Sequence, residues 1–186
     1  MKARAIPFWL KFLTPKTQLE SAFEITPAWL EMRGLKGLAL DIDNTLAPTH
    51  LAGDETQIRA WLEPLIQAQI PIRIISNGHP QRILEFCELF KLEYVDLLNS
   101  KMAAKPIPSA YARASREMNL KPCEVAMVGD QIFTDVLGAN LAGMYSVLVK
   151  PLSEKSMTHT KLIRKLEQLI LARLERERTE DLTSSH

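Results

Sequence analysis

Two carboxylates stand two residues apart in "GLALDIDNTLAP", residues 37–48: Asp41 and Asp43. The apolar run Leu38-Ala39-Leu40 precedes them and the polar pair Asn44-Thr45 follows. Acids this close repel one another unless a positive group holds them. Further along, "IISNG" carries Ser76 and Asn77, "AAKP" carries Lys105, and "GDQIFTD" carries Gly129, Asp130 and Asp135. Carboxylates without thiolate or imidazole make a hard, all-oxygen site that suits Mg²⁺ keeping several of its waters. Asp41 and Asp130, with Asp43 nearby, are the candidate ligands. A phosphate would then sit opposite Lys105 and beside the Ser76 hydroxyl. Backbone N–H groups of residues 42–44, Asn44 included, and of Asn77 would donate to its oxygens. With the charge so offset, Asp41 can attack phosphorus as a nucleophile. Asp43 can protonate the leaving alkoxide and later activate water.

These residues meet only if the elements between them place them together. The sequence predicts strands at 38–42, 70–76, within 93–99, at 124–130 and at 144–150. Helical spacing is read at 54–68, 80–90, 108–119 and 132–142, with Gly143 as the stop. Asp54 and Gln57 form a potential capping box, and Pro64 predicts a kink or restart. Alternation of this kind argues for an α/β fold, a parallel sheet with helices on both faces. Ligands bind at the carboxyl ends of such strands, where the acids, Ser76, Asn77 and Lys105 fall.

The same residues carry a resemblance. Residues 41–45 resemble motif I of the haloacid dehalogenase (HAD) superfamily, Ser76 motif II, Lys105 motif III and residues 129–135 motif IV, in family order. Across roughly residues 6–152 the chain resembles the YqeG-like group of HAD subfamily IIIA. That group is similar to phosphatases that convert phosphatidylglycerophosphate to phosphatidylglycerol. The resemblance implies a Rossmannoid three-layer sandwich, with Asp41 as nucleophile and Asp43 as acid/base. It implies Mg²⁺ on Asp41, the Asp43 carbonyl and Asp130. Ser76 and Lys105 would bind phosphate, and Asp135 would support the motif IV loop, with Thr45 and Gly129 in supporting places. Gly78-His79 departs from the pattern, which expects a second small polar residue after Asn77. The gaps leave no room for a cap domain, so the site should be open, as a phosphoester on a membrane requires.

The rest of the chain sets limits. Its 186 residues suit one domain with extensions: an arm of short helical pieces at 1–33, a core at 34–152, and a charged helix and tail at 153–186. A net charge of +1 gives no signal for nucleic acid. Cys87 and Cys123 form no zinc or disulfide pattern, which points to a reducing, cytoplasmic setting. Cys87 reads as a core residue, and no histidine shows ligand spacing. No apolar run reaches the roughly 20 residues of a membrane span. The N-terminal segment resembles a secretory signal in its first residues, but Lys11 interrupts it and it is expected to be retained. Within the arm, Phe8, Trp9, Phe12 and Leu13 would share one helical face. That face either packs on the domain or makes a peripheral contact at the inner membrane surface through residues 7–13. Two other functions stay open: a phosphatase of soluble sugar or nucleotide phosphates, and a receiver-like phosphoacceptor using Asp96 and Lys150.

Overall fold

The computed structural model describes residues 8–49, 53–97 and 104–153, with the backbone only at Phe8 and Trp9. His50 and the long helix expected at 156–178 lie outside the described residues. Six parallel strands form one sheet in the order β1-β6-β5-β2-β3-β4. They are β1 (Thr17–Leu19), β2 (Gly37–Leu40), β3 (Ile72–Ile74), β4 (Glu93–Tyr94), β5 (Val125–Gly129) and β6 (Tyr145–Val149). The helices are α1 (Pro27–Glu31), α2 (Glu55–Gln67), α3 (Pro80–Phe90), α4 (Pro108–Glu117) and α5 (Leu137–Ala142).

The central strands are apolar on both faces because helices cover both. Side chains alternate along a strand. Leu38 and Leu40 of β2, with Ala126 and Val128 of β5, pack among Ile58, Trp61 and Leu65 of α2 and Phe86 and Phe90 of α3. Ala39, Val125 and Met127 face the other way, onto Ala110, Tyr111 and Ala114 of α4 and Ala139 of α5. The result is the expected three-layer sandwich. Each fully buried leucine of this kind contributes about 2 kcal/mol.

β1 lies in the arm expected to be helical, and it pairs with β6 at the sheet edge. Asn140 on α5 fixes that arm by donating to the carbonyls of Phe12 (2.8 Å) and Thr14 (3.0 Å). Leu10 and Leu13 are buried with Ile132, Val136 and Leu148. Of the two expectations for its face, Leu13 follows the one that packs on the domain. Asp54 caps α2, its Oδ1 accepting from the Gln57 N–H at 3.0 Å, which is one of the two bonds of the expected capping box. It does not restart at Pro64; the helix runs on to Gln67. Pro64 forfeits one ladder bond, to the Ala60 carbonyl, and the ladder resumes with the Ala68 N–H donating to the Pro64 carbonyl at 3.1 Å. Cys87 is buried, as expected, beside Ile83, Phe86 and Phe90. Residues 132–142 are helical, but Ile132–Val136 is a π turn before α5 starts.

From β2 the chain winds outward to β3 and β4, then returns to lay β5 on the other flank of β2. That reversal opens a crevice beyond the carboxyl ends of β2 and β5. Asp41 follows β2 directly and Asp130 follows β5 directly. Among the described residues, no helix is long and apolar enough to cross a membrane.

Candidate active site

Lys105 stands at the centre of the crevice, 3% exposed at its side chain. Its Nζ donates to Asp41 Oδ1 and to Asp135 Oδ1, each at 2.7 Å. Asn77 holds the lysine backbone by a two-way amide pair. Its Nδ2 donates to the Lys105 carbonyl at 3.0 Å, and its Oδ1 accepts from the Lys105 N–H at 2.9 Å. The loop after β3 thus places the loop after β4. Asn77, expected on the phosphate through its backbone, has its side chain committed to Lys105. Ser76 is buried at the end of β3, and its Oγ accepts from the Gly78 N–H at 3.2 Å.

Asp135 sits in the π turn and reaches back over Gly129. A Cβ at 129 would fall 2.2 Å from Asp135 Cγ, so only glycine leaves space for this carboxylate. Its Oδ2 accepts from the Gln131 N–H at 3.0 Å. Both oxygens of Asp135 are thereby engaged, one by Lys105 and one by the loop at Gln131. Tyr111 closes this corner from α4, its hydroxyl donating to the Thr134 carbonyl at 2.8 Å.

The electrostatics follow from burial. Burial alone would push the Lys105 ammonium down, but Asp135 and Asp41 more than offset it and hold it above the ordinary lysine value. The Asp135 carboxyl is pushed up to about 6, first by burial and then by Asp41, against the pull of Lys105. One ammonium shared by two buried carboxylates cannot satisfy both.

The residues present fit a hard divalent cation. Asp41, Asp130 and Asp135 each bring one carboxylate oxygen within 4.8 Å of the others, and all three are buried. The donor set is all oxygen, and two of the three carboxylates, Asp41 and Asp135, share one ammonium. Asp135 has both oxygens engaged by Lys105 and Gln131, so Asp41 and Asp130 are the side chains that could hold a metal.

Asp43 lies at the rim, half-buried. The chain turns after it through Asn44, whose φ of 58° is the left-handed region that asparagine tolerates. The Asn44 N–H donates to the Ala47 carbonyl at 2.7 Å, so this amide closes the loop and is spent there. Among the described residues, the buried Asn44 Oδ1 and Thr45 Oγ1 accept or donate no hydrogen bond. Sequence reasoning missed Arg82. It lies on α3, outside every motif, yet its Nε donates to Asp43 Oδ1 at 2.9 Å. Lys150, weighed as a receiver lysine, is exposed and pairs with Glu20 at 2.6 Å.

Comparisons with known proteins agree with this geometry. Residues 102–168 match the HAD-hydrolase-like family model. A probable phosphatase of Bacillus subtilis, YqeG, is 33% identical over 166 residues, 89% of this chain and 94% of that protein. A glyceraldehyde 3-phosphate phosphatase of Pyrococcus furiosus is 34% identical over 83 residues, 41% of this chain and 34% of that protein. Among solved structures, a HAD-superfamily hydrolase of Ehrlichia chaffeensis shares the fold at 15% identity and a TM-score of 0.50, covering 74% of this chain and 97% of that one. The chain belongs to the haloacid dehalogenase superfamily and, within it, to the YqeG-like phosphatase family. It is a hydrolase of the phosphomonoesterase kind.

Proposed function

We propose that the protein is a Mg²⁺-dependent phosphatase that works through an aspartyl phosphate, with phosphatidylglycerophosphate as its substrate. The observation that carries the reading is the buried Asp41–Lys105–Asp135 cluster, with Asp130 beside it and Asp43 at the rim. Asp41, Asp130 and the Asp43 carbonyl would hold the metal. When bound, Mg²⁺ supplies charge neutralisation for the phosphoryl oxygens.

The chain's own residues do the rest. Lys105 and Ser76, with the backbone N–H of Asn77, would orient the phosphate, while Asn44 closes the loop beside it. An Asp41 carboxylate oxygen bonds to phosphorus as the ester P–O bond breaks, and Asp43 gives its proton to the departing alkoxide. Water then attacks the acyl phosphate while Asp43 takes a proton back, which releases phosphate and Asp41. Thr45 and Gly129 keep the loops in place, and Asp135 keeps Lys105 aimed.

The lipid substrate is supported by openness. Among the described residues, α2 alone links β2 to β3 and α4 is the helix between β4 and β5, so no cap covers the crevice. A headgroup at a bilayer surface could enter from outside without leaving its membrane. The arm would help through Phe8, Trp9 and Phe12 with nearby cations, since Leu13 faces inward.

The test is phosphate release from phosphatidylglycerophosphate in anionic vesicles and from a panel of soluble sugar and nucleotide phosphates, with Mg²⁺, with Ca²⁺ and with chelator. Hydrolysis of the vesicle substrate that needs Mg²⁺, fails with Ca²⁺ and needs more Mg²⁺ after Asp130→Ala is expected. Activity that persists in excess chelator defeats the metal reading. Preference for a soluble ester defeats the lipid reading.

A further inference from the structure

Arg82 has no place in the reaction as described, and its geometry gives it one. Its Nε donates to Asp43 Oδ1 at 2.9 Å, and a terminal nitrogen donates to the Pro48 carbonyl at 3.0 Å. One planar guanidinium therefore ties both ends of the loop 43–48 to the first turn of α3. A fork of fixed shape orients what it binds more strictly than a point charge does. The other Asp43 oxygen lies on the opposite flank. A Cβ at Gly78 would stand 2.8 Å from Asp43 Oδ2 and 3.3 Å from Ser76 Oγ. Glycine leaves that flank of Oδ2 uncovered, on the side of the Ser76 hydroxyl. This gives a physical use to the Gly78 that departs from the family pattern.

Resting on the phosphatase reading above, we infer that Arg82 is the positioning residue of the acid/base. It occupies Asp43 Oδ1 and so assigns both proton transfers to Oδ2, on the Ser76 side where the phosphate lies. In the first transfer the proton on Oδ2 passes to the alkoxide oxygen as its bond to phosphorus breaks and the Asp41 oxygen bonds to phosphorus. In the second, a water oxygen bonds to phosphorus, its proton passes to Oδ2, and the bond from Asp41 to phosphorus breaks. Arg82 touches neither substrate nor phosphorus in these steps. Its effect should appear only where proton delivery limits the rate.

Leaving-group dependence tests this. Wild type, Arg82→Ala and Arg82→Lys are assayed on p-nitrophenyl phosphate and on an alkyl phosphate: glycerol 3-phosphate or, in vesicles, phosphatidylglycerophosphate. The aryl alkoxide needs little protonation, and the alkyl one needs it fully. For Arg82→Ala, kcat on the alkyl ester should fall about a hundredfold and on the aryl ester less than about tenfold, with KM little changed. Millimolar guanidinium should restore part of the alkyl activity, because the cation can reoccupy the position beside Oδ1. Arg82→Lys should recover little, since one ammonium cannot hold Asp43 and Pro48 together. If the alanine variant does not fold, the lysine variant carries the comparison.

Equal losses on both esters, with a lowered melting temperature, would make Arg82 a structural tie and overturn the inference. A raised KM with unchanged kcat would make it a substrate-binding residue and overturn it as well. Asp41→Asn run alongside separates the two levels. A wild type that releases phosphate from neither alkyl ester, from p-nitrophenyl phosphate nor from the soluble panel defeats the aspartyl-phosphate reading and this inference with it. An active wild type with no leaving-group effect defeats the inference alone.

Discussion

β2 and β5 carry a lysine–carboxylate contact at each end, and the two ends differ in burial and in how many carboxylates share the lysine. At the amino end, Lys36 precedes β2 and pairs with Glu124 at 2.6 Å, with side chains 63% and 22% exposed. At the carboxyl end, Lys105 meets Asp41 and Asp135 at 2.7 Å, with side chains 3%, 5% and 1% exposed. The distances match, but the consequences do not. Lys36 and Glu124 shift each other modestly, chiefly through their hydrogen bond, and water screens the rest. At the other end burial removes that screening, so one ammonium and two carboxylates, that of Asp135 pushed up to about 6, are packed together. The same kinds of charge make a surface clip in one place and a buried, strained cluster in the other. Loop placement at the switch of the sheet decides which.

Three substitutions probe that contrast. Asp41→Asn should bring the largest effect. It removes the proposed nucleophile, so turnover should fall by several orders of magnitude while the fold persists, because Lys105 keeps Asp135. Phosphate release together with a thermal melt checks this, and near wild-type release from a clean preparation would end the nucleophile assignment. Lys105→Met should come next. It strands two buried carboxylates beside a third, so stability without metal should drop by about 3–5 kcal/mol. Activity should fall by roughly a hundredfold or more. Melts in chelator and in Mg²⁺ measure the first effect, and added Mg²⁺ should raise the variant's melting temperature more than the wild type's. An unchanged melt in chelator would mean that burial does not distinguish the two ends. Lys36→Met is the control and the smallest effect. No resolvable change in melting temperature or turnover is expected, with or without salt. A large loss there would undo the comparison.

A companion test bears on the arm. Trp9→Ser combined with Phe12→Ser should weaken sedimentation with anionic vesicles while hydrolysis of a soluble ester persists. Unchanged vesicle binding with a lowered melt would mean that these rings pack on the domain as Leu13 does.

Much of the core and site was legible because local chemistry marks it. Asp41 and Asp130 each close an apolar run, and the runs of β2 and β5 are apolar throughout because both faces are covered. Gly129 before Asp130 and Gly143 after α5 were equally visible. β1 was not, since three residues at a sheet edge are too short for a period to show, and their partner is β6, far along the chain. Arg82 was not either. A helical Pro-Gln-Arg carries no sign of an aspartate 39 residues earlier in the chain.

The sequence by itself determined which groups could react, because hydrophobic period and turn chemistry are written within a few neighbouring residues. Tertiary structure alone decided how they are shared. Lys105 is divided between Asp41 and Asp135, Asn77 is spent on the Lys105 backbone, and one oxygen of Asp43 is taken by Arg82. Those choices depend on distances across a crevice between loops from separate strands, and no local pattern encodes such a distance.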